Sequence, residues 1–215
     1  MHGCGIFFDA LHARLLSRDS GAIASHWASL RAKKLEFDLS QYCEYNWIFH
    51  FTFKVTSMIS IFDLDHTVID SSHRQQFKAN GSLDLDHWRE NCTPELIAQD
   101  RLLPLSRIMR SHYARGATVL VCTARVMSAN DYEYLDRHDL FAHAILSRPE
   151  GNTQPDEWLK LALLANWVNT SPVYSWNGFL AEAIIFDDNL NVIKTLAREG
   201  ITCHNSVQFN AFLEA

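Results

Sequence analysis

The sequence has no long apolar run and no closely spaced pair of cysteines. A membrane-spanning helix needs about 20 apolar residues, and the aromatic stretch that begins at Trp47 is interrupted by His50 and Lys54. The five cysteines are spread along 215 residues without a C-x-x-C pair. This pattern is typical of reduced thiols rather than of a disulfide framework. We therefore expect a cytoplasmic protein with no membrane span.

The sequence also lacks an excess of positive charge. Its formal net charge is −6, which argues against a general nucleic-acid binder with a broad basic face. The charge is uneven, because the acidic excess lies in residues 58–215, whereas residues 1–57 are nearly balanced. We expect part of this acidic excess to be catalytic carboxylate.

The first 57 residues differ in character from the rest. They hold an Ala-rich stretch of helical spacing at about residues 20–37, followed by an aromatic run, and they contain no catalytic motif. One hypothesis is that translation starts at Met58 and that residues 1–57 are an upstream extension of the reading frame. The alternative is a helical appendage that packs on the domain or forms a homodimer. An intact peptide from residues 14–31 in natively expressed protein would rule out the first hypothesis.

Residues 58–215 predict alternating strands and helices. Wholly apolar strands that alternate with helices indicate a parallel sheet covered on both faces, and hence an α/β fold. The predicted strands are 58–62, 118–122, 144–146, 183–186 and 201–203, and the predicted helices are 94–114, 156–168 and 189–199.

Polar clusters follow three of the predicted strands. They are Asp63, Asp65 and Thr67 after the first strand, Thr123 and Arg125 after the second, and Asp187 and Asp188 after a later one. In open parallel sheets, ligands bind beyond the carboxyl ends of the strands. The sequence therefore predicts a single active site at this edge.

The spacing of Asp63 and Asp65 predicts a particular chemistry. Two carboxylates held this close repel each other unless a cation lies between them, and Mg²⁺ prefers oxygen ligands and bridges to phosphate. One carboxylate can attack phosphorus while the other transfers a proton to the leaving oxygen and later activates water. Thr67 offers a hydroxyl to orient the transferring group. A solvated acidic turn is the alternative interpretation of this motif alone.

The later motifs each have a simpler interpretation as well. Thr123 is also typical of a helix N-cap and Arg125 of a surface charge. Asp156 and Lys160 lie on one face of the predicted helix, where a surface ion pair would be unremarkable. Asp188 or the adjacent Asn189 could cap the following helix.

Taken in chain order, these motifs resemble those of the haloacid dehalogenase (HAD) superfamily of phosphatases. The resemblance implies a Rossmannoid three-layer sandwich with a central parallel sheet and a small cap or flap insert. It implies that Asp63 is the nucleophile and a metal ligand, and that Asp65 is the general acid/base and binds the metal through its backbone carbonyl. It further implies that Thr123 and Lys160 act at the phosphate. Asp187 and Asp188 would complete the Mg²⁺ site.

Residues 58–205 resemble more closely the 3′-phosphatase domain of bacteriophage polynucleotide kinase-phosphatases and related stand-alone phage and bacterial proteins. That resemblance implies phosphate contacts from Arg74, Arg125 and Arg148, in addition to Thr67. It also places the protein in the host cytoplasm if the gene is a phage gene. The usual glycine after the second aspartate is His66 here, so we expect the backbone there to avoid a conformation that only glycine tolerates. No G-x-x-x-x-G-K-[ST] loop occurs, so a 5′-kinase activity is not predicted.

The segment of residues 70–93 is too short for a large cap domain. It could form a small flap in which His87 and Trp88 cover the site or stack on a base, although core packing of Trp88 is slightly favoured. We expect a Mg²⁺-dependent phosphomonoesterase that acts on nucleotides or on 3′-phosphate ends of nucleic acid. The alternatives are a HAD phosphatase for another small phosphate ester and a HAD-like binding module without catalysis.

Overall fold

The computed structural model describes residues 58–79 and 83–215. The predictions for residues 1–57, including the homodimer and the start at Met58, concern residues outside this range. The strands are β1 (Ile59–Phe62), β2 (Ile69–Asp70), β3 (Arg101–Leu102), β4 (Thr118–Thr123), β5 (Ala144–Ser147), β6 (Ala183–Asp187) and β7 (Thr202–Asn205). The helices are α1 (Leu85–Glu90), α2 (Pro94–Ile97), α3 (Leu105–Ala114), α4 (Ala129–Arg137), α5 (Asp156–Thr170), α6 (Trp176–Glu182), α7 (Leu190–Arg198) and α8 (Ser206–Glu214).

Five strands form the central sheet, in the order β5-β4-β1-β6-β7, and every neighbouring pair is parallel. The chain adds β4 and β5 on one side of β1, then adds β6 and β7 on the other. The strand order therefore reverses beside β1, which is where a doubly wound sheet opens a crevice for ligands. The predicted α/β fold with a central parallel sheet is confirmed, as is the position of the last strand at a sheet edge.

Consecutive apolar residues explain why the sheet is covered on both faces. In β1, Ile59 and Ile61 join one buried cluster with helices α5, α6 and α7. Phe62 joins the opposite cluster, which includes Leu105 and Met109 of α3. Because neighbouring residues of a strand point to opposite faces, a strand buried on both faces is mostly apolar. The polar residue of β1, Ser60, is also buried, and its hydroxyl lies 2.8 Å from Nδ1 of His112. This gives the predicted three-layer arrangement.

The single helix predicted over residues 94–114 is wrong. The structure has the short helix α2, the strand β3 and then α3, which begins directly after Pro104. Proline lacks the N–H that a helix interior requires and clashes with the preceding turn. The backbone N–H of Leu103 instead donates to the carbonyl of Val68 at 3.0 Å, and β3 pairs antiparallel with β2.

The insert between β1 and β4 is small, as predicted. It comprises β2, a 3₁₀ turn over Ser72–Arg74, α1, α2 and β3. Phe77 and Leu83 form an isolated antiparallel bridge on either side of residues 80–82. The segment that begins at Gln75 and ends with α1 is called the flap below. Among the described residues, no helix combines the length and apolar character that a bilayer crossing demands.

Candidate active site

The site begins where β1 and β6 end side by side. Phe62 of β1 is in register with Phe186 of β6, and the backbone N–H of Asp63 donates to the Phe186 carbonyl at 3.0 Å. Asp63, the first residue after β1, therefore lies beside Asp187, the last residue of β6. Both side chains are buried, so the parallel register brings two carboxylates together in a region with little water.

Lys160 lies between these two carboxylates. Its Nζ is 3.0 Å from Oδ1 of Asp63 and 2.7 Å from Oδ2 of Asp187. The lysine lies on α5, more than 90 residues from Asp63, and it is itself buried. One buried cation thus neutralises part of the charge of two buried anions.

The carboxylates of Asp63, Asp187 and Asp188 form a cluster suited to a divalent cation. One oxygen from each lies within 4.8 Å of the others. Oδ1 of Asp63 is buried and has no partner of hydrogen-bond geometry among the described residues, despite the nearby lysine. Oxygen ligands with an unsatisfied lone pair fit a hard cation such as Mg²⁺.

The protonation behaviour of the cluster reflects its burial. Burial raises the pKa of Asp63, an effect opposed by Lys160 and reinforced by Asp65. Burial also raises the pKa of Asp187 to about 7 and that of Asp188 to about 6. For Lys160, burial alone would lower the pKa, but Asp63 and Asp187 hold it above its ordinary value. A cation at the three carboxylates would therefore compete with protons.

Asp65 has different partners, although it lies only two residues beyond Asp63. Nε and an Nη of Arg125 donate to its two oxygens at 3.2 and 2.5 Å, and the Ser71 hydroxyl donates to Oδ1. Burial alone would raise the pKa of Asp65, but Arg125 and Ser71 hold it below its usual value. Asp65 is therefore ionised in this arrangement, the form that accepts a proton.

Arg125 also forms an ion pair with Asp131. Its other Nη donates to Oδ1 of Asp131 at 2.6 Å, and both side chains are buried. Oδ2 of Asp131 accepts from the backbone N–H and the hydroxyl of Ser128, which closes a capping box at the start of α4. The guanidinium is thus fixed to a helix N-terminus while it reaches Asp65.

Trp88 of α1 lies against two guanidinium groups. Its ring centre is 4.2 Å from the Cζ of Arg74 and 5.2 Å from that of Arg125, distances at which a cation is attracted to an indole face. The side chain is half-buried. The structure combines parts of the two interpretations of Trp88. The side chain is packed against protein groups, and those groups are arginines next to Asp65.

Three residues predicted to bind phosphate do not join the carboxylate cluster. Arg74 is fully buried in a two-point ion pair with Asp100, at 2.9 and 2.8 Å. Thr67 is also fully buried, and its hydroxyl donates to that of Ser206 at 2.9 Å. Arg148 donates to the Ala124 carbonyl at 2.7 Å and to Asp156 at 2.6 Å. These donors already have protein partners, so their predicted phosphate contacts remain predictions that would require these bonds to break.

Thr123 ends β4, the strand on the other side of β1 from β6. It is buried, and its Oγ1 accepts from the backbone N–H of Arg125 at 3.2 Å. The hydroxyl therefore shapes the turn that carries Arg125 towards Asp65. Its predicted role at the phosphate remains a prediction.

His66 takes a left-handed turn that is not restricted to glycine, in line with the expectation for its backbone. His66 adopts φ 55°, the left-handed region that glycine occupies without cost and in which histidine is several-fold enriched among the other residues. The turn is stabilised locally, because its backbone N–H donates to the Ile69 carbonyl at 2.8 Å, and the Leu64 carbonyl accepts from Thr67, Val68 and Ile69.

Asp131, Ser71 and Gln75 were not among the residues predicted from the sequence. The spacing of Ser128 and Asp131 is a capping-box signature and could have located Asp131 at a helix start. Ser71 and Gln75 carry no recognisable pattern, because their importance depends on how the chain turns back after β2.

Comparisons with known proteins find relatives of part of this chain. The sequence profile of a family described as bacteriophage T5 5′-deoxynucleotidase matches residues 51–152. The 5′-deoxynucleotidase of Escherichia phage T5 is 44% identical over 88 residues, which are 39% of this chain. The chain covers 36% of that relative's length. The segment matched by the family profile, residues 51–152, contains Asp63, Asp65, Thr123 and Arg125 and ends before Lys160, Asp187 and Asp188.

Solved structures give the fold. A chain of the Pnkp1/Rnl/Hen1 complex matches with a TM-score of 0.50 at 18% identity, over 71% of this chain and 47% of that one. A haloacid dehalogenase-like family hydrolase from Streptococcus pneumoniae matches with a TM-score of 0.47 at 12% identity, over 73% of this chain and 98% of that one. The match to the Pnkp1/Rnl/Hen1 chain is consistent with the observed α/β fold and its central parallel sheet.

Proposed function

We propose that the protein is a Mg²⁺-dependent phosphomonoesterase that acts on nucleotides, with Asp63 as the nucleophile. The observation that carries this proposal is the buried cluster of Asp63, Lys160 and Asp187 at the carboxyl ends of β1 and β6. A charged lysine between two buried carboxylates prepares a site for a phosphoryl group, which brings negative charge and needs positive charge around it.

The proposed substrates are 2′-deoxynucleoside 5′-monophosphates. Support comes from the T5 relative, whose name is 5′-deoxynucleotidase, and from the family profile over residues 51–152. The acidic net charge of the chain is consistent with a small substrate rather than a long nucleic acid, which would need many phosphate contacts. A 3′-phosphate end remains an alternative that one substrate panel can separate.

The reaction divides into two displacements at phosphorus. An oxygen of Asp63 forms a bond to phosphorus while the bond to the leaving nucleoside oxygen breaks, and Asp65 gives that oxygen a proton. Water then attacks the aspartyl phosphate, Asp65 takes a proton from that water, and Asp63 is regenerated together with inorganic phosphate.

Arg125 links substrate binding to Asp65. Its guanidinium pairs with Asp65 in this structure and is also the predicted phosphate ligand, so phosphate and carboxylate compete for one cation. Once the guanidinium turns to the phosphate, Asp65 loses its counter-charge, which favours the protonated form that an acid requires. Lys160 stays between the carboxylates and stabilises the charge that builds up on Asp63 and the phosphoryl oxygens.

The fit of Mg²⁺ rests on the donor set. Asp63, Asp187 and Asp188 offer three carboxylate oxygens within 4.8 Å of one another, and the unsatisfied oxygen of Asp63 is among the buried atoms of this cluster. A backbone carbonyl ligand from Asp65 is part of the same proposal. When bound, the ion would supply Lewis-acid stabilisation of charge on the phosphoryl group.

The test is phosphate release in Mg²⁺ buffer from a substrate panel. It includes deoxynucleoside 5′-monophosphates, ribonucleotides, 3′-mononucleotides, 5′- and 3′-phosphorylated oligonucleotides and sugar phosphates. We expect the highest kcat/KM with deoxynucleoside 5′-monophosphates, loss of activity in EDTA, and a fall of at least about 10³-fold in Asp63→Asn.

The other outcomes are equally informative. Preference for 3′-phosphorylated oligonucleotides would replace the nucleotide substrate with a nucleic-acid end, and preference for sugar phosphates would indicate another small ester. Folded, Mg²⁺-loaded protein without activity on any substrate would contradict phosphatase function and favour a HAD-like binding module.

A further inference from the structure

Asp65 has two hydrogen-bonding partners. Arg125 donates to both of its oxygens, and the fully buried Ser71 hydroxyl donates to Oδ1. Under the proposed function, Arg125 is shared with the substrate phosphate. The Ser71 bond is then the contact that can keep Asp65 oriented towards the leaving group.

Ser71 does not act alone, because the Gln75 amide donates to its hydroxyl oxygen. Nε2 of Gln75 lies 3.1 Å from the Ser71 Oγ, and its Oε1 lies 3.0 Å from Nε2 of His66. The Ser71 hydroxyl donates to Oδ1 of Asp65. Its oxygen is then free to accept from the Gln75 amide N–H.

The same argument gives the orientation of the Gln75 amide and the protonated nitrogen of the His66 ring. With its amide nitrogen facing Ser71, Gln75 turns its carbonyl oxygen to His66, so Nε2 of His66 must carry a proton. The result is a row of donors that runs from His66 through Gln75 and Ser71 and ends at Asp65. From Asp65 to Gln75 the row spans eleven residues of sequence, and each of its members is at least partly buried.

The left-handed turn makes this row possible. With φ 55°, His66 adopts a backbone conformation that carries its ring to Gln75. Glycine would adopt the same turn with no side chain to donate. Gln75 is also the first residue of the flap, so the row ties the start of the flap to Asp65.

We propose that Gln75 and His66 are positioning residues that orient Asp65 through the Ser71 hydroxyl. This inference rests on the proposed function, because Asp65 is the proton-transfer group of that reaction. Proton transfer requires the carboxylate to lie within hydrogen-bonding distance of the leaving oxygen. Gln75 makes no hydrogen bond to the carboxylates of Asp63, Asp187 or Asp188 in the described part of the chain. His66 also lies close enough to Asp188 to lower the pKa of that carboxyl, so Gln75 is the residue that isolates the row.

The experiment compares two adjacent glutamines. Gln75→Met removes the amide at similar size, whereas Gln76→Met changes a side chain that is exposed and serves as the matched control. We expect Gln75→Met to lower kcat by about 10-fold, as loss of an outer partner of an active-site group does. Its KM should change less than about twofold, because substrate binding is not involved. Gln76→Met should keep the wild-type kcat.

Two further variants separate positioning from simple destabilisation. In a Ser71→Ala background, Gln75→Met should cause no further loss of kcat, because its route to Asp65 is already broken. His66→Gly should lower kcat while its melting temperature stays within about 3 °C of wild type, since glycine tolerates the turn.

Equal kcat in wild type, Gln75→Met and Gln76→Met would overturn the inference while the proposed function stands. Additive losses in the Ser71→Ala background would also overturn it, because the glutamine would then act by another route. If wild-type protein released no more phosphate than Asp63→Asn, the proposed function itself would fail, and the inference with it.

Discussion

Lys160 shows how far single residues could be predicted from their spacing. The i, i+4 pattern with Asp156 is consistent with a surface ion pair, but the structure gives the two side chains different partners. Asp156 accepts from Arg148 at 2.6 Å, whereas Lys160 reaches Asp63 and Asp187. The resemblance to HAD phosphatases predicted a lysine at the phosphate. The spacing could not, because the partners come from distant strands.

Replacement of Lys160 tests its electrostatic role without any assay of activity. In Lys160→Met without Mg²⁺, three clustered carboxylates lose their buried cation, and the free energy of unfolding should fall by about 3 kcal/mol. Mg²⁺ should restore most of that loss, because a divalent cation can replace the lysine charge. Urea denaturation in EDTA and in Mg²⁺ measures both effects.

Lys194→Met is the matched control, since Lys194 is exposed on α7 and should change stability by less than about 0.5 kcal/mol. An equal loss for Lys160→Met in EDTA and in Mg²⁺ would contradict a shared role of lysine and metal.

Asp65, Arg74, Thr67 and Arg148 show where residue-level prediction stopped. Each is a polar side chain near a motif, and the sequence suggested contact with metal or phosphate for all of them. The structure assigns the last three to Asp100, Ser206 and the loop before α5. Buried polar groups must find partners, and a sequence does not reveal which partner the fold brings nearby.

At the scale of elements, strands were easier to predict than short helices. A run such as that of β4 is apolar on both faces, and few structures other than a buried strand accommodate it. The helices α4, α6 and α8 were not predicted. The break between α2 and α3 had one visible signal, Pro104. The other cause is long-range, because Asp100 is drawn into a buried ion pair with Arg74.

The last helix, α8, is attached to the site loop through Asn210. Its Oδ1 accepts from the Leu105 backbone N–H at 2.8 Å, and its Nδ2 donates to the Thr67 carbonyl at 3.0 Å. Asn210→Ala leaves two buried backbone groups unpaired, so we expect a loss of about 2 kcal/mol in unfolding free energy. Gln208→Ala, at an exposed position of the same helix, should stay within about 0.5 kcal/mol of wild type in the same urea titration. Equal losses in both variants would show that α8 is held by its apolar contacts alone.

Helix α3 contributes a pH dependence through His112. Its Nδ1 lies 2.8 Å from the Ser60 hydroxyl of β1, and burial, with help from Arg115, holds the pKa of His112 below its ordinary value. The unfolded chain therefore takes up a proton at a higher pH than the folded chain does. Stability from this group is complete above about pH 6.5 and is lost as the pH falls below it.

His112→Gln keeps a polar group near Ser60 and removes the titration. The free energy of unfolding should consequently fall less between about pH 7 and pH 5 in this variant than in wild type. Chemical denaturation at several pH values gives the comparison. Parallel curves for the two proteins would exclude His112 as a source of the pH dependence.

At the scale of the whole molecule, the arrangement of the strands determines where chemistry can occur. The strand order reverses beside β1, so the ends of β4, β1 and β6 lie together, and each is followed by polar residues that the sequence already showed. This location was predictable because it depends on topology rather than on particular contacts. The contacts of the flap could not be predicted in this way, because Trp88 is brought to the guanidinium groups of Arg74 and Arg125 only when the chain folds.

Acid quenching tests whether Asp63 carries the phosphoryl group during turnover. Protein mixed with a deoxynucleoside 5′-monophosphate labelled in its phosphate is stopped within the first turnover, and the labelled peptide is mapped by mass spectrometry. We expect acid-stable, hydroxylamine-sensitive label on the peptide that contains Asp63, and none in Asp63→Asn. Rapid phosphate release by wild-type protein with no label at any quench time would contradict a covalent intermediate and would indicate direct attack by water.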